Sequence, residues 1–171
     1  LSFNADASKI VGKSLGTTAE SQFLVVADSD GSNAVAVAAL GNNADRVQVA
    51  PSPTGNIIAF SRTGESQGLG KEEILFVGMR GENFKSLLVD GIGFQGAWSP
   101  TGRRLLWSAA GQDSDFRPQL ATAEASSGGV SPVKRTIPLA TWADKCVIAS
   151  DELAYCAVPQ NLPEGAGLTR E

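Results

Sequence analysis

The sequence predicts an all-β protein assembled from consecutive four-stranded antiparallel units, and three observations predict it. Trp98-Ser99-Pro100-Thr101-Gly102-Arg103-Arg104-Leu105-Leu106-Trp107 returns 47 residues earlier as Pro51-Ser52-Pro53-Thr54-Gly55-Asn56-Ile57-Ile58-Ala59-Phe60, a shared turn followed by a shared apolar run. Fainter copies stand at Phe3-Asn4-Ala5-Asp6-Ala7-Ser8-Lys9-Ile10-Val11, which keeps the aromatic and loses the Gly, and at Ile148-Ala149-Ser150-Asp151-Glu152-Leu153-Ala154-Tyr155. The chain also scatters 19 Gly and 8 Pro among short apolar runs, the pattern of many turns between strands rather than of helices.

Each unit reads as a first strand ending at the aromatic position, a Ser-Pro-Thr-Gly turn, and a second strand beginning at the apolar run. Pro sets one φ of that turn and Gly tolerates a positive one. In the first unit, 1–45, the later strands fall at 9–14, 23–27 and 34–40, with Asp28-Ser29-Asp30-Gly31-Ser32-Asn33 turning the last pair. The second unit, 46–92, places strands at 46–50, 56–62, 74–79 and 84–89, with a polar loop at 63–73. The third, 93–140, places them at 94–98, 103–108, 119–124 and 133–138, with a loop at 109–118. A last hairpin, 141–148 and 153–158, completes residues 141–158. The tail 159–171, rich in Pro, Gly and Glu, reads as linker or crossover. Phe60, Trp98, Leu105 and Trp107 are expected to lie buried between neighbouring sheets.

An aromatic followed by Ser-Pro-x-Gly, two or three polar or basic residues and an apolar run resembles the repeat of TolB-like β-propellers, relatives of the WD-type repeats. The resemblance covers most of the chain through four copies, two of them close. It implies propeller blades, and propellers usually close with four to eight of these. At about three and a half repeats the expected array is open or incomplete, with its ends near Phe3 and Tyr155 exposed. A chain starting at Leu1 inside the first copy is expected to be a piece of a longer precursor, or to be completed by the remaining blades of another chain.

Composition narrows the partners. With 14 basic and 18 acidic residues the net charge is −4, which argues against a nucleic-acid partner or a polybasic membrane contact. No run approaches the roughly 20 apolar residues of a membrane span. His is absent, removing the usual general base for a Ser nucleophile and the commonest ligand for zinc, copper or iron.

Three motif matches fail on context. Ala7-Ser8-Lys9-Ile10-Val11-Gly12-Lys13-Ser14 fits a permissive phosphate-binding loop, yet its centre is strand-forming Lys-Ile-Val and no helix start follows. Gly12-Lys13-Ser14-Leu15-Gly16 matches a nucleophile elbow without a catalytic partner. Asp28-Ser29-Asp30-Gly31-Ser32-Asn33 resembles the start of a calcium loop, but its counterpart Gly78-Met79-Arg80-Gly81-Glu82-Asn83 puts Arg80 in place of Asp30, a sign of turn geometry. No catalytic, cofactor or metal residue is assigned.

Cys146 and Cys156 are nearly mirror-related about Asp151, where the last hairpin turns, so antiparallel pairing predicts that they meet and form a disulfide. The alternative is two buried free thiols. A bridge implies an oxidising, extracytoplasmic compartment.

Propeller topology sends the loops between second and third strands, and those between blades, to one face. That face is expected to carry Gln67, Lys71, Glu72, Asp113, Asp115, Phe116 and Arg117. The resulting expectation is a non-enzymatic extracytoplasmic scaffold presenting its long loops to a protein, peptide or glycan. The alternative is the gating propeller of a larger serine peptidase whose catalytic domain lies outside this chain.

Overall fold

A computed structural model describes residues 1–66, 70–82 and 84–168, with backbone alone at 64–66. Three four-stranded antiparallel sheets follow one another along the chain, each with its strands in sequence order, and a two-stranded hairpin comes last. Sheet one comprises β1 (Ser2–Phe3), β2 (Lys9–Ser14), β3 (Phe23–Asp28) and β4 (Val35–Ala39). Sheet two comprises β5 (Val47–Val49), β6 (Ile57–Ser66), β7 (Lys71–Gly78) and β8 (Leu87–Asp90). Sheet three comprises β9 (Ile92–Trp98), β10 (Arg104–Ala110), β11 (Pro118–Ser126) and β12 (Gly129–Ile137). The terminal hairpin is β13 (Cys146–Ile148) and β14 (Ala154–Cys156). These are the expected all-β units of an incomplete propeller, and among the described residues no strand pairing closes the array.

The repeated turn owes its form to two local interactions. Gly55 N–H donates to Ser52 O and Gly102 N–H to Ser99 O, both at 2.8 Å. The glycines take φ of 80° and 70°, a left-handed conformation costly for any residue with a Cβ. The first copy keeps this geometry without the Gly: Ala7 N–H donates to Asn4 O at 3.1 Å, and Ala7 sits at φ 57°. The two Gly-bearing turns also touch, since a Cβ on Gly102 would lie 2.9 Å from Thr54 Cγ2 and 3.0 Å from Ser52 Oγ.

Apolar side chains pack each sheet against the next. Val11, Leu24 and Val26 of sheet one meet Val47, Ile58 and Ala59 of sheet two. Phe60, Ile74 and Phe76 meet Phe94, Leu105 and Trp107 of sheet three. Leu106 and Leu120 meet Ala143, with Ile148 and the disulfide packed alongside. A β-bulge between Ile57 and Ala59 breaks strict alternation, which is how Ile58 and Ala59 both turn toward sheet one while Ile57 and Phe60 face sheet three. Phe60, Leu105 and Trp107 are buried as expected. Trp98 is half-buried, its Nε1–H donating to Ala50 O at 2.9 Å. Gln48 reaches the backbone of Gly96, its Nε2 donating to the carbonyl at 2.8 Å and its Oε1 accepting the amide at 3.0 Å. Arg103 Nε donates to Asp151 Oδ2 at 3.0 Å and joins sheet three to the hairpin.

Cys146 and Cys156 are paired directly in register and form the disulfide, with Cα atoms 4.0 Å apart. Phe3 and Tyr155 are exposed at the two ends of the array. The expected loop at 63–73 is shorter than the sequence suggests, and the strand expected from 133 starts earlier. β6 runs to Ser66 and β7 starts at Lys71, so most of 63–73 is hairpin strand. β12 starts at Gly129, not at 133, and follows a tight turn from β11. Polar strand ends held by pairing register carry no apolar signature. Among the described residues no helix is long and apolar enough to cross a membrane.

Candidate binding face

The hairpin end at Gly70 and Lys71, the link from β8 to β9, and the segment 111–118 converge at one end of sheets two and three. Gly91 N–H donates to Gly70 O at 2.5 Å and ties the first two together. Between them lies a cavity of about 210 Å³ lined by Lys71, Asp90, Asp113, Gln119 and Lys134 among others. Lys134 Nζ donates to Asp90 Oδ2 and also to Leu88 O at 2.9 Å, while Lys71 stands 3.5 Å from the other Asp90 oxygen. The Lys134 bond, followed by the field of both lysines, holds the Asp90 carboxyl below its ordinary range. The result is a mixed-charge polar recess suited to hydrogen-bonded recognition.

The predicted face residues divide. Lys71 and Asp113 line the cavity. Glu72 is corrected: pairing of Ser66 with Glu72 extends the β6–β7 ladder, and strand alternation turns Glu72 inward with Ile74 and Phe76. Its Oε2 accepts the Phe94 amide at 3.2 Å in a buried setting, so it meets no partner in solvent. Asp115 and Phe116 follow a 3-10 turn at Gln112–Ser114 and adopt φ of 50° and 53°. Arg117 Nη1 donates to Asp115 Oδ2 at 2.8 Å. Gln67 lies outside the described residues.

Of the two readings of the tail, linker or crossover, the described part fits the second better. Residues 162–168 do not lead away as a linker but return to the segment 111–118. Gly165 N–H donates to Asp115 O at 2.9 Å, Gly167 N–H donates to Phe116 O at 2.8 Å, and Arg117 Nε donates to Leu162 O at 2.9 Å. Sequence reasoning missed Asp90, Lys134 and this strap. The Gly-Ala-Gly at 165–167 was the available signal, since paired glycines also mark close approach of backbones.

A second cavity, of about 390 Å³, opens between sheet three and the terminal hairpin, lined by Leu106, Leu120, Ile148, Leu153 and Arg104 among others. The Arg104 Nε is buried without a hydrogen-bond partner among the described residues. At its rim the hydroxyls of Ser99 and Thr101, then the Arg103 guanidinium, hold the Asp151 carboxyl down at about 2.

The rejected motifs lie in ordinary structure. Lys13 and Ser14 end strand β2, with Lys13 Nζ donating to Ala44 O at 2.5 Å. Asp28 accepts from Lys9 at 2.5 Å and Asn33 at 2.6 Å, and Asp30 accepts from Ser32, so both carboxylates serve the turn. No protein family, curated protein or solved structure matches this chain.

Proposed function

We propose that the chain is a non-enzymatic, extracytoplasmic binding or scaffolding propeller of the TolB-like kind, which presents the long-loop end of sheets two and three to a protein, peptide or glycan. The observation that carries this reading is the convergence of three separate chain segments around the polar recess of Lys71, Asp90, Asp113 and Lys134. Loops held on a rigid β scaffold are the usual place for binding residues. The Cys146–Cys156 bridge supports the compartment, because disulfides persist where the surroundings are oxidising.

Selection of peptides and glycans on the whole chain, run in parallel on a Lys71→Glu/Asp113→Lys double variant, tests it. Binders enriched on the wild type are expected to be lost on the variant. Identical enrichment on both would refute the face as the binding surface.

A further inference from the structure

The chain's own tail already occupies part of this face. Its attachment uses backbone groups almost throughout: the carbonyls of Asp115 and Phe116 accept from Gly165 and Gly167, and the Leu162 carbonyl accepts from Arg117. Two consecutive non-glycine residues in the left-handed region, Asp115 and Phe116, supply those carbonyls. Such strain is characteristic of clamps and binding loops.

The fit is selective for glycine. A Cβ on Gly167 would overlap the Ala110 Cβ and lie 2.8 Å from Phe116 O. Gly165, at φ 75°, occupies the third position of a turn in which Ala166 N–H donates to Pro163 O at 3.3 Å. That position favours Gly on conformational grounds. The occupant is therefore recognised as a Pro-x-Gly turn followed by one further Gly, with Arg117 gripping the carbonyl ahead of the Pro and itself held by Asp115.

We propose that residues 162–168 are an internal occupant of a peptide-binding groove, and that the partner of this face is a peptide turn of the form Pro-x-Gly-x-Gly, admitted when the strap leaves. The inference rests on the reading of the long-loop end as a binding surface and names the class of partner. A tethered segment competes at the high effective concentration set by its short connection, so the free groove is scarce in the wild-type chain.

The probe is a fluorescein-labelled peptide of residues 161–168, titrated by polarisation into the whole chain. Gly167→Val removes the strap by overlap at Ala110, and Gly165→Ala loosens it roughly tenfold through backbone strain alone, since nothing lies within 4 Å of its Cβ position. Hydrogen exchange at residues 165 and 167 reports strap release. Gly167→Val is expected to release the strap and to bind the peptide at least tenfold more tightly than the wild type, Gly165→Ala to raise exchange at both residues and to tighten binding by up to tenfold, and a peptide carrying Gly167→Val is expected not to bind. Equal affinity for wild type and variants, no binding by a released variant, or a strap still protected in both variants would each overturn the proposal. If that happens while selection remains sensitive to Lys71 and Asp113, the strap inference alone fails; insensitivity of both removes the binding face.

Discussion

Replacing Gly102 by Ala tests whether neighbouring sheets are locked together through their turns. The substitution has two costs. A Cβ at φ 70° costs about 1–2 kcal/mol of left-handed strain. Overlap with Thr54 Cγ2 at 2.9 Å and with Ser52 Oγ and Thr54 N at 3.0 Å adds about 1–3 kcal/mol, because Ser52 is buried and the atoms met include backbone. Gly55→Ala is the matched control: φ is 80°, but nothing lies within 4 Å of the new Cβ, so only the strain of about 1–2 kcal/mol applies. Ala7→Gly runs the other way in the first copy, relieving that strain against the roughly 0.4–1 kcal/mol of backbone freedom that Gly adds to the unfolded chain. Urea unfolding followed by tryptophan fluorescence and far-UV dichroism is expected to rank the chains Ala7→Gly, wild type, Gly55→Ala and Gly102→Ala from most to least stable. Equal losses for Gly55→Ala and Gly102→Ala would refute the interlocking of the turns.

Three other perturbations address separate joints. Cys146→Ser/Cys156→Ser is expected to lower stability by about 2–3 kcal/mol through the short loop that the bridge closes, with hydrogen exchange rising first in β13 and β14. Gln48→Ala leaves the Gly96 N–H and carbonyl without their partner at a half-buried site and is expected to cost about 1–3 kcal/mol in urea unfolding; a loss indistinguishable from zero would show that water replaces both bonds. Asp151 has a folded-state pKa of about 2 against an ordinary 3.8, so its contribution is present above pH 4 and is lost as pH falls toward 2. The Tm difference between wild type and Asp151→Asn is therefore expected to be full at pH 5 and to shrink as pH falls through 2; a constant difference would remove the ionised Asp151 carboxylate, held by Ser99, Thr101 and Arg103, as its source.

The fold was legible where its cause is local. Ser-Pro-Thr-Gly specifies a turn from its own stereochemistry, and the apolar runs behind Gly55 and Gly102 specify a strand buried on both faces. Cys146 and Cys156 were legible because their near-mirror spacing about Asp151 needs only antiparallel pairing. The polar ends of β6 and β12 were not, because Ser66 and Gly129 are strand residues only through the partners opposite them. Glu72 followed the same rule: its buried side is set by a register that extends beyond the apolar part of β7. The binding face was half legible. Lys71 and Asp113 lie on it as expected, but Lys134 arrives from an outer strand, and the strap from a tail whose Pro, Gly and Glu are equally the composition of a linker.

The bonds between sheets have an evolutionary consequence. Gln48 to Gly96 and Trp98 to Ala50 each span 48 residues, whereas the turns recur after 47. Each bond thus joins a residue to the position just past its own counterpart, as bricks in a running course overlap by one step. A duplicated block of this length would carry both halves of its own seam, so a gene could lengthen the array by copying without inventing a new contact surface. Gln95 stands one period on from Gln48, and its buried Oε1 has no hydrogen-bond partner among the described residues.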